Sequence, residues 1–186
     1  MQRIALIGCG RIAPAHLDGL KSPLFQRGVG GISRANVVAI CDMNEKLRQE
    51  RQHAYNIPNG FASVEELLGW HQFDIAAVLT PPDIRADVCV PVLKAPKHLL
   101  VEKPFSHSLA EARAMVETAE KAGVILAVNQ NYRWIQPAPI LRERILGGKI
   151  GRVLSVLLVD TVWRDETSGW RNKTSKLALS VTKLFF

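Results

Sequence analysis

Residues 3–13 read RIALIGCGRIA, and this stretch decides the fold of the chain. Its first half is an apolar run typical of a buried strand, and its second half has the form G-x-G-x-x-A at the expected start of a helix. Gly8 would permit a tight turn, Gly10 would let the main chain approach a ligand, and Ala13 would let the helix pack on the strand. The helix start, with Arg11 and Ile12, would then bind a diphosphate, although such a turn can also bind nothing.

Apolar runs typical of strands alternate with helical patterns along most of the chain. This alternation predicts βαβ units and a doubly wound parallel sheet in residues 1–130, followed by the start of a second domain in residues 131–186. We expect strands at 3–7, 37–41, 75–79, 98–101 and 124–128. We expect helices at 13–20, 44–55, from the capping box 63–66, at 88–94, from the capping box 108–111 to Gly123, and near 140–146.

Asp42 follows the second predicted strand, where a carboxylate can accept hydrogen bonds from the ribose hydroxyls of an adenosine. It lies farther from Ala13 than the usual ~20 residues, and the glycine-rich stretch 27–31 accounts for the excess. Because a carboxylate repels a 2′-phosphate, Asp42 favours NAD over NADP. Arg48 and Arg51 on the next helix leave NADP open, and capping that helix is the alternative role for Asp42.

Two short polar and proline-containing segments follow the next two predicted strands in residues 75–101. The first is Thr80-Pro81-Pro82 and the second is Glu102-Lys103-Pro104. Open α/β sheets bind ligands at the carboxyl ends of their strands, so both segments are candidates for a binding site. A lysine beside a nicotinamide cation would lose hydration and face a like charge, and both effects would suit Lys103 for proton transfer at a substrate hydroxyl.

The composition is that of an ordinary globular protein of 186 residues, with 47% hydrophobic and 22% charged residues, and it excludes collagen, coiled coil and general disorder. No apolar run reaches ~18 residues, so we expect no membrane span. Three cysteines favour a reducing compartment, the cytoplasm.

The net charge of +7 comes mostly from scattered residues after position 140, so we expect no nucleic-acid partner. The histidines and cysteines show no paired ligand spacing, so we expect no metal site.

The chain resembles the N-terminal half of the Gfo/Idh/MocA family of oxidoreductases. Four segments match in order: Gly8–Ala13 with His16 after it, 80–82, 97–104, and 131–134 with Pro137. The Glu-Lys-Pro segment is the most specific of them. The later stretch 148–153 is similar to the turn where the family chain enters its second domain, and the resemblance covers about residues 1–170.

The resemblance implies an NAD(P)-binding Rossmann domain followed by an α/β substrate domain. It implies reversible hydride transfer between a nicotinamide cofactor and a hydroxyl-bearing carbon of a sugar, polyol or inositol-like small molecule, in a protein that forms homo-oligomers. By similarity, Lys103 contacts the reacting hydroxyl as the catalytic residue, Glu102 and Thr80 line the nicotinamide, and Asn131 and Arg133 border the site.

This sequence departs from the family pattern in three places. Pro96 replaces a glycine before Lys97, and Arg85 stands where a histidine often follows the Thr-Pro-Pro turn. The family's later histidine-containing catalytic region is missing, so we expect a truncated chain in which the apolar stretch 153–162 is a strand without partners. Two alternatives therefore stay open: a non-catalytic dinucleotide-binding module, and an NAD-dependent relative that cleaves glycosidic bonds.

Overall fold

The computed structural model describes residues 1–21 and 35–156. The chain divides into two compact units, Met1–Asn129 and Gln130–Phe186. This division falls next to the boundary that the sequence predicts after residue 130.

The first unit is built on a parallel sheet of six strands: β1 (Gln2–Ile7), β2 (Ala35–Cys41), β3 (Asn59–Phe61), β4 (Ile75–Val78), β5 (His98–Val101) and β6 (Leu126–Val128). Their order across the sheet is β3-β2-β1-β4-β5-β6. Every neighbouring pair is parallel. The order reverses between β1 and β4, so the loops after these two strands form the edge where doubly wound sheets bind ligands.

The described helices of the first unit begin and end within three residues of the positions that the sequence pattern indicates. The serines of both predicted capping boxes cap their helices, because Ser63 and Ser108 accept hydrogen bonds from the main-chain amides of Glu66 and Glu111. The two glutamates bind other donors instead of these serine amides: Glu66 accepts from the Ala62 amide and Glu111 from the Ser106 hydroxyl. Gly123 ends the last helix in the left-handed region at φ 68°. These helices are α1 (Ala13–Lys21), α2 (Glu45–Tyr55), α3 (Val64–Trp70), α4 (Arg85–Lys94) and α5 (Leu109–Ala122).

Helices cover both faces of the sheet, which explains why the strands read as continuous apolar runs. Leu6 and Ile40 pack with Leu17 of α1 on one face. Ile7 packs on the opposite face in the cluster that contains Val92 of α4 and the α5 methionine, Met115. Burial on both faces fixes the strand register, and with it the positions of the loops at the strand ends.

One strand was not predicted, and several boundaries differ from the prediction by one to three residues. The strand β3 was not predicted, because its three residues include Gly60 and form no apolar run. The strand predicted at 124–128 begins only at Leu126, and the helix predicted at 88–94 begins at Arg85. Arg85 therefore lies in the first turn of α4.

The second unit begins with a 3₁₀ turn at Asn131–Trp134 and a helix, α6 (Ala138–Leu146). The predicted strand at 153–162 is not formed in residues 153–156, and the rest of that prediction lies outside the described residues. Within residues 1–21 and 35–156, no helix has the length and apolarity needed to cross a membrane.

Candidate active site

The first part of the site is the turn at Gly8, directly after β1. Gly8 has φ +100°, a conformation that side chains other than glycine rarely adopt. A Cβ there would lie 3.2 Å from the carbonyl carbon of Leu79 and from the amide nitrogen of Thr80. The glycine therefore permits the tight turn and also allows the end of β1 to approach the end of β4.

Gly10 and the start of α1 form an open cradle. Gly10 is exposed, and a Cβ added to it would meet no atom within 4 Å. The fully buried Ala13 begins the helix and donates its amide to the Gly10 carbonyl at 3.1 Å. Arg11 and Ile12 are exposed at this positive helix end, where an anion such as a diphosphate can accept hydrogen bonds from main-chain amides.

Asp42 lies at the end of β2 and contacts the glycine-rich turn. Its Oδ2 accepts a hydrogen bond from the Cys9 amide at 2.7 Å, and its Oδ1 accepts one from the Asn44 amide at 2.8 Å. The cap of α2 is Asn44, whose Oδ1 accepts from the Leu47 amide at 3.0 Å. Each Asp42 oxygen keeps a second lone pair, so the carboxylate can still accept a hydrogen bond from a ribose hydroxyl.

Two arginines of α2 reach the same turn. Arg48 donates through Nη1 to the Asp42 carbonyl at 2.6 Å, and Arg51 donates through Nε to the Cys9 carbonyl at 3.4 Å. Both side chains brace the main chain of the turn. Their positive charges therefore lie at the glycine-rich turn.

The segment after β4 presents an unpaired polar atom. Thr80 is 9% exposed, and its buried Oγ1 has no hydrogen-bond partner among the described residues. Pro81 is half-buried and Pro82 is buried. Because a buried hydroxyl without a partner is unfavourable, Thr80 fits a site in which a ligand supplies the missing hydrogen bond.

Glu102, at the end of β5, is 6% exposed, and its carboxylate takes part in three hydrogen bonds. Its Oε1 lies 2.9 Å from His16 Nε2 and accepts from Asn129 Nδ2 at 2.7 Å, while its Oε2 accepts from the Lys103 amide at 3.0 Å. Burial acts to raise the pKa of Glu102. The hydrogen bonds from His16 and Asn129, the His16 charge and the Lys103 amide outweigh that effect and lower the pKa below its ordinary value. The side chain is therefore held as a carboxylate.

Lys103 follows directly and is exposed. The described residues do not themselves remove its water, so the loss of hydration expected from the sequence depends on a bound nicotinamide. Its main chain is firmly placed, since its amide is hydrogen bonded to the Glu102 carboxylate. The ammonium group is thus at the carboxyl end of β5, on a fixed main chain and with a free side chain.

Arg85 connects the segment after β4 to the segment after β5. It is 2% exposed, and its guanidinium donates to the main-chain carbonyls of Thr80, Glu102 and Pro104. Burial lowers the pKa of Arg85, and the charges of nearby groups, Glu102 among them, act in the opposite direction. One buried cation therefore fixes the main chain on both sides of Lys103.

Asn131 and Arg133, the two remaining predicted site residues, belong to the second unit. Both are exposed, and the Arg133 guanidinium lies 5.3 Å from the centre of the Trp134 ring. Their role at the site stays a prediction.

Sequence reasoning missed three contributors to the site. His16 lies in a matching segment, one helical turn after the glycine-rich stretch, but no pattern indicated its contact with Glu102. Asn129 directly follows β6, at the same sheet edge, and this position could have identified it. Arg85 was noticed only as a departure from the family pattern.

The described residues offer neither a metal site nor a reactive thiol. In residues 1–21 and 35–156, no group of three His, Cys, Asp or Glu could hold a metal ion. Cys9, Cys41 and Cys89 are buried and free, and burial raises the pKa of each thiol to about 12. Cys9 is therefore a packing residue of the turn and not a nucleophile.

A glycine-rich turn at the reversal point of a doubly wound sheet, with a carboxylate after the second strand, defines a dinucleotide-binding domain of the Rossmann class. Residues 2–130 match the Gfo/Idh/MocA family, described as an oxidoreductase family with an NAD-binding Rossmann fold. The chain belongs to this family, and it carries the family's NAD-binding domain. The resemblance inferred from the sequence and the predicted fold class are both confirmed.

Among the curated relatives, 1,5-anhydro-D-fructose reductase of Ensifer adhaerens is 32% identical over 176 residues, which cover 92% of this chain and 49% of the relative. Myo-inositol 2-dehydrogenase of Thermotoga maritima is 30% identical over 81% of this chain and 42% of the relative. The crystal structure of the WlbA dehydrogenase of Bordetella pertussis, in complex with NADH and UDP-GlcNAcA, superposes with a TM-score of 0.72 and 29% identity over 81% of this chain and 43% of that one. The chain thus spans about half the length of the relatives that it matches.

Proposed function

We propose that this chain is the cofactor-binding part of an NAD-dependent oxidoreductase, which transfers hydride reversibly between nicotinamide and a hydroxyl-bearing carbon of a sugar, polyol or inositol-like substrate. The observation that carries the proposal is the convergence of three strand ends. The Gly8 turn lies against Leu79 and Thr80, and His16, from the helix after that turn, contacts Glu102 beside Lys103.

The described residues fit a dinucleotide. The cradle from Gly8 to Ala13 would hold the diphosphate on the start of α1, and Asp42 would accept from the adenosine ribose. Thr80, with its unpaired buried hydroxyl, and Glu102 would border the nicotinamide half. Pro81 and Pro82 would shape the wall between these two ends.

The bound cofactor supplies the hydride acceptor or donor, and the protein handles the proton. Lys103 would take the proton from the substrate hydroxyl oxygen during oxidation and return it during reduction. Glu102 holds the Lys103 amide and thereby orients the lysine, while its own carboxylate stays charged. Asn131 and Arg133 are assigned to the site by the family resemblance alone.

NAD is the cofactor favoured by Asp42, because its carboxylate lies where a 2′-phosphate would bring a second negative charge. Arg48 and Arg51 moderate this preference, since both carry a positive charge at the same turn. NADP is therefore the weaker ligand, and it is not excluded.

The proposal also covers the cellular location and the oligomeric state of the protein. The three free, buried cysteines fit a reducing compartment, so we place the protein in the cytoplasm. The complete protein would form homo-oligomers through its substrate domain, as the family resemblance implies.

The first test is a fluorescence titration of the 186-residue chain with NADH, followed by assays of NAD reduction with a panel of sugars, polyols and inositols. Saturable NADH binding is the expected result. If NADH does not bind, the proposal fails. Binding without turnover on any substrate would favour the non-catalytic module as the role of this chain by itself, and cleavage of a glycoside with no net NAD reduction would favour the glycosidase-like alternative.

Two lysine variants test the catalytic assignment. Lys103→Met should keep NADH binding and lose turnover, because it removes only the proton-transferring amine. Lys94→Met, at the exposed end of α4, is the matched control and should keep both. Turnover by Lys103→Met at the measurable rate of the unsubstituted chain would remove Lys103 from the mechanism.

A further inference from the structure

Arg85 has an unusual set of hydrogen-bond partners for a buried cation. Its two terminal nitrogens donate to three main-chain carbonyls, those of Thr80, Glu102 and Pro104. The first carbonyl belongs to the segment after β4, and the other two belong to the segment after β5. The guanidinium therefore connects two separate strand ends rather than two side chains.

A guanidinium suits this position because it presents several donors in a rigid plane. Hydrogen bonds from a charged donor are stronger than those between neutral groups, so the two segments are held in one arrangement. A histidine, which often stands here in the family, has two ring nitrogens and could not serve three carbonyls. Arg85 can therefore bind three carbonyls that a histidine at this position could not bind together.

Fold stability alone does not explain a guanidinium at this place. Arg85 shares α4 with the fully buried Cys89, Val92 and Leu93, so this face of the helix packs on an apolar core. Burying a charge there costs free energy, and an apolar side chain of similar volume is often as stable or more so. We therefore expect a buried charge here only where the protein requires this particular arrangement of the two segments.

The position of Lys103 is what this arrangement controls. Lys103 lies between Glu102 and Pro104, and both of these neighbours give their carbonyls to Arg85. Its side chain is exposed and makes no described hydrogen bond that could fix it. The placement of the ammonium therefore depends on the main chain, and the main chain depends on Arg85.

We propose that Arg85 is a positioning residue, which holds the segments 80–82 and 102–104 together and so shapes the nicotinamide end of the site and places Lys103. This inference rests on the proposed function. It predicts that loss of the guanidinium harms binding of the nicotinamide half selectively, while the diphosphate and adenosine halves bind as before.

The experiment measures NADH and ADP-ribose affinities of the 186-residue chain with Arg85→Gln and Arg85→Lys. For Arg85→Gln we expect NADH affinity to fall about tenfold, the size of one lost charged hydrogen bond, with ADP-ribose affinity changed by less than about twofold. Arg85→Lys keeps the charge without the planar fork, so its loss of NADH affinity should be intermediate. It also keeps the inference testable if Arg85→Gln does not fold.

Val92→Ala is the matched control, because it destabilises the same buried helix and leaves the guanidinium in place. A selective loss of NADH affinity in the Arg85 variants, absent from Val92→Ala, supports the inference. An unchanged ratio of NADH to ADP-ribose affinity in both Arg85 variants overturns it, and so does the same selective loss in Val92→Ala. Failure of the unsubstituted chain to bind either ligand would instead refute the proposed function.

Discussion

His16 Nε2 lies 2.9 Å from Glu102 Oε1, and this contact joins the helix that begins at the glycine-rich turn to the segment that carries Lys103. The two residues are far apart in sequence, and the parallel sheet brings them together because β1 and β5 both border β4. The binding cradle and the lysine are thus parts of one hydrogen-bonded system.

Replacing His16 by Phe should raise the pKa of Glu102. Burial acts to raise that pKa, and the His16 hydrogen bond and charge are among the effects that hold it down. A ¹³C titration of the side-chain carboxyl would measure the change. His53→Phe, on α2, is the control and should leave the Glu102 titration unchanged.

The same carboxylate predicts a dependence of stability on pH. Because the folded pKa of Glu102 lies below its ordinary value, its contribution to stability is present above that ordinary value and is lost as pH falls through the folded pKa. Glu102→Gln should therefore lower the Tm at neutral pH, and the Tm difference from the unsubstituted chain should shrink in acid. A difference that stays constant with pH would contradict this account.

The two glycines of the turn should behave differently when each is replaced by alanine. Gly8→Ala should destabilise the fold by about 1–3 kcal/mol, because its positive φ and the close contact with Leu79 and Thr80 both oppose a Cβ. Gly10→Ala should change stability by less than about 1 kcal/mol, since its Cβ meets open space, and should weaken NADH binding instead. Thermal unfolding and NADH titration of both variants separate the two roles.

Asp42→Ala should weaken NAD binding more than NADP binding, by about tenfold for NAD if one charged hydrogen bond to the ribose is lost. Asp42→Asn is the useful control, because one side-chain oxygen remains to accept from a main-chain amide while the negative charge is removed. It should raise NADP affinity relative to NAD. Equal losses for both cofactors in Asp42→Ala would refute the ribose assignment.

Asp74 gives a second, independent prediction in acid. Hydrogen bonds from the Arg3 side chain and amide lower the pKa of Asp74 to about 2, from an ordinary 3.8. This pair therefore stabilises the fold above the ordinary value, and its contribution is lost as pH falls toward 2. The effect should be small, because the pair is exposed to solvent. Asp74→Asn should lower the Tm slightly at pH 6 and match the unsubstituted chain near pH 2.

The sequence predicted the sheet well, because strands buried on both faces leave continuous apolar runs that alternate with capped helices. It predicted five strands and missed β3, whose three residues carry no such run. The sequence also predicted the cradle at Gly8, since the need for a positive φ selects glycine. The contacts of His16, Asn129 and Arg85 could not be predicted from the sequence, because they join strand ends that only the strand order brings together.

The burial of the cysteines makes the chain convenient for chemical probing. Cys9, Cys41 and Cys89 are 0–3% exposed, and each thiol has a pKa of about 12, so maleimides and disulfide reagents should not modify them while the sheet is intact. A cysteine introduced on the surface could then be labelled with a single dye in the otherwise natural sequence. The rate at which the three native thiols become reactive would, in turn, measure the rate at which the sheet opens.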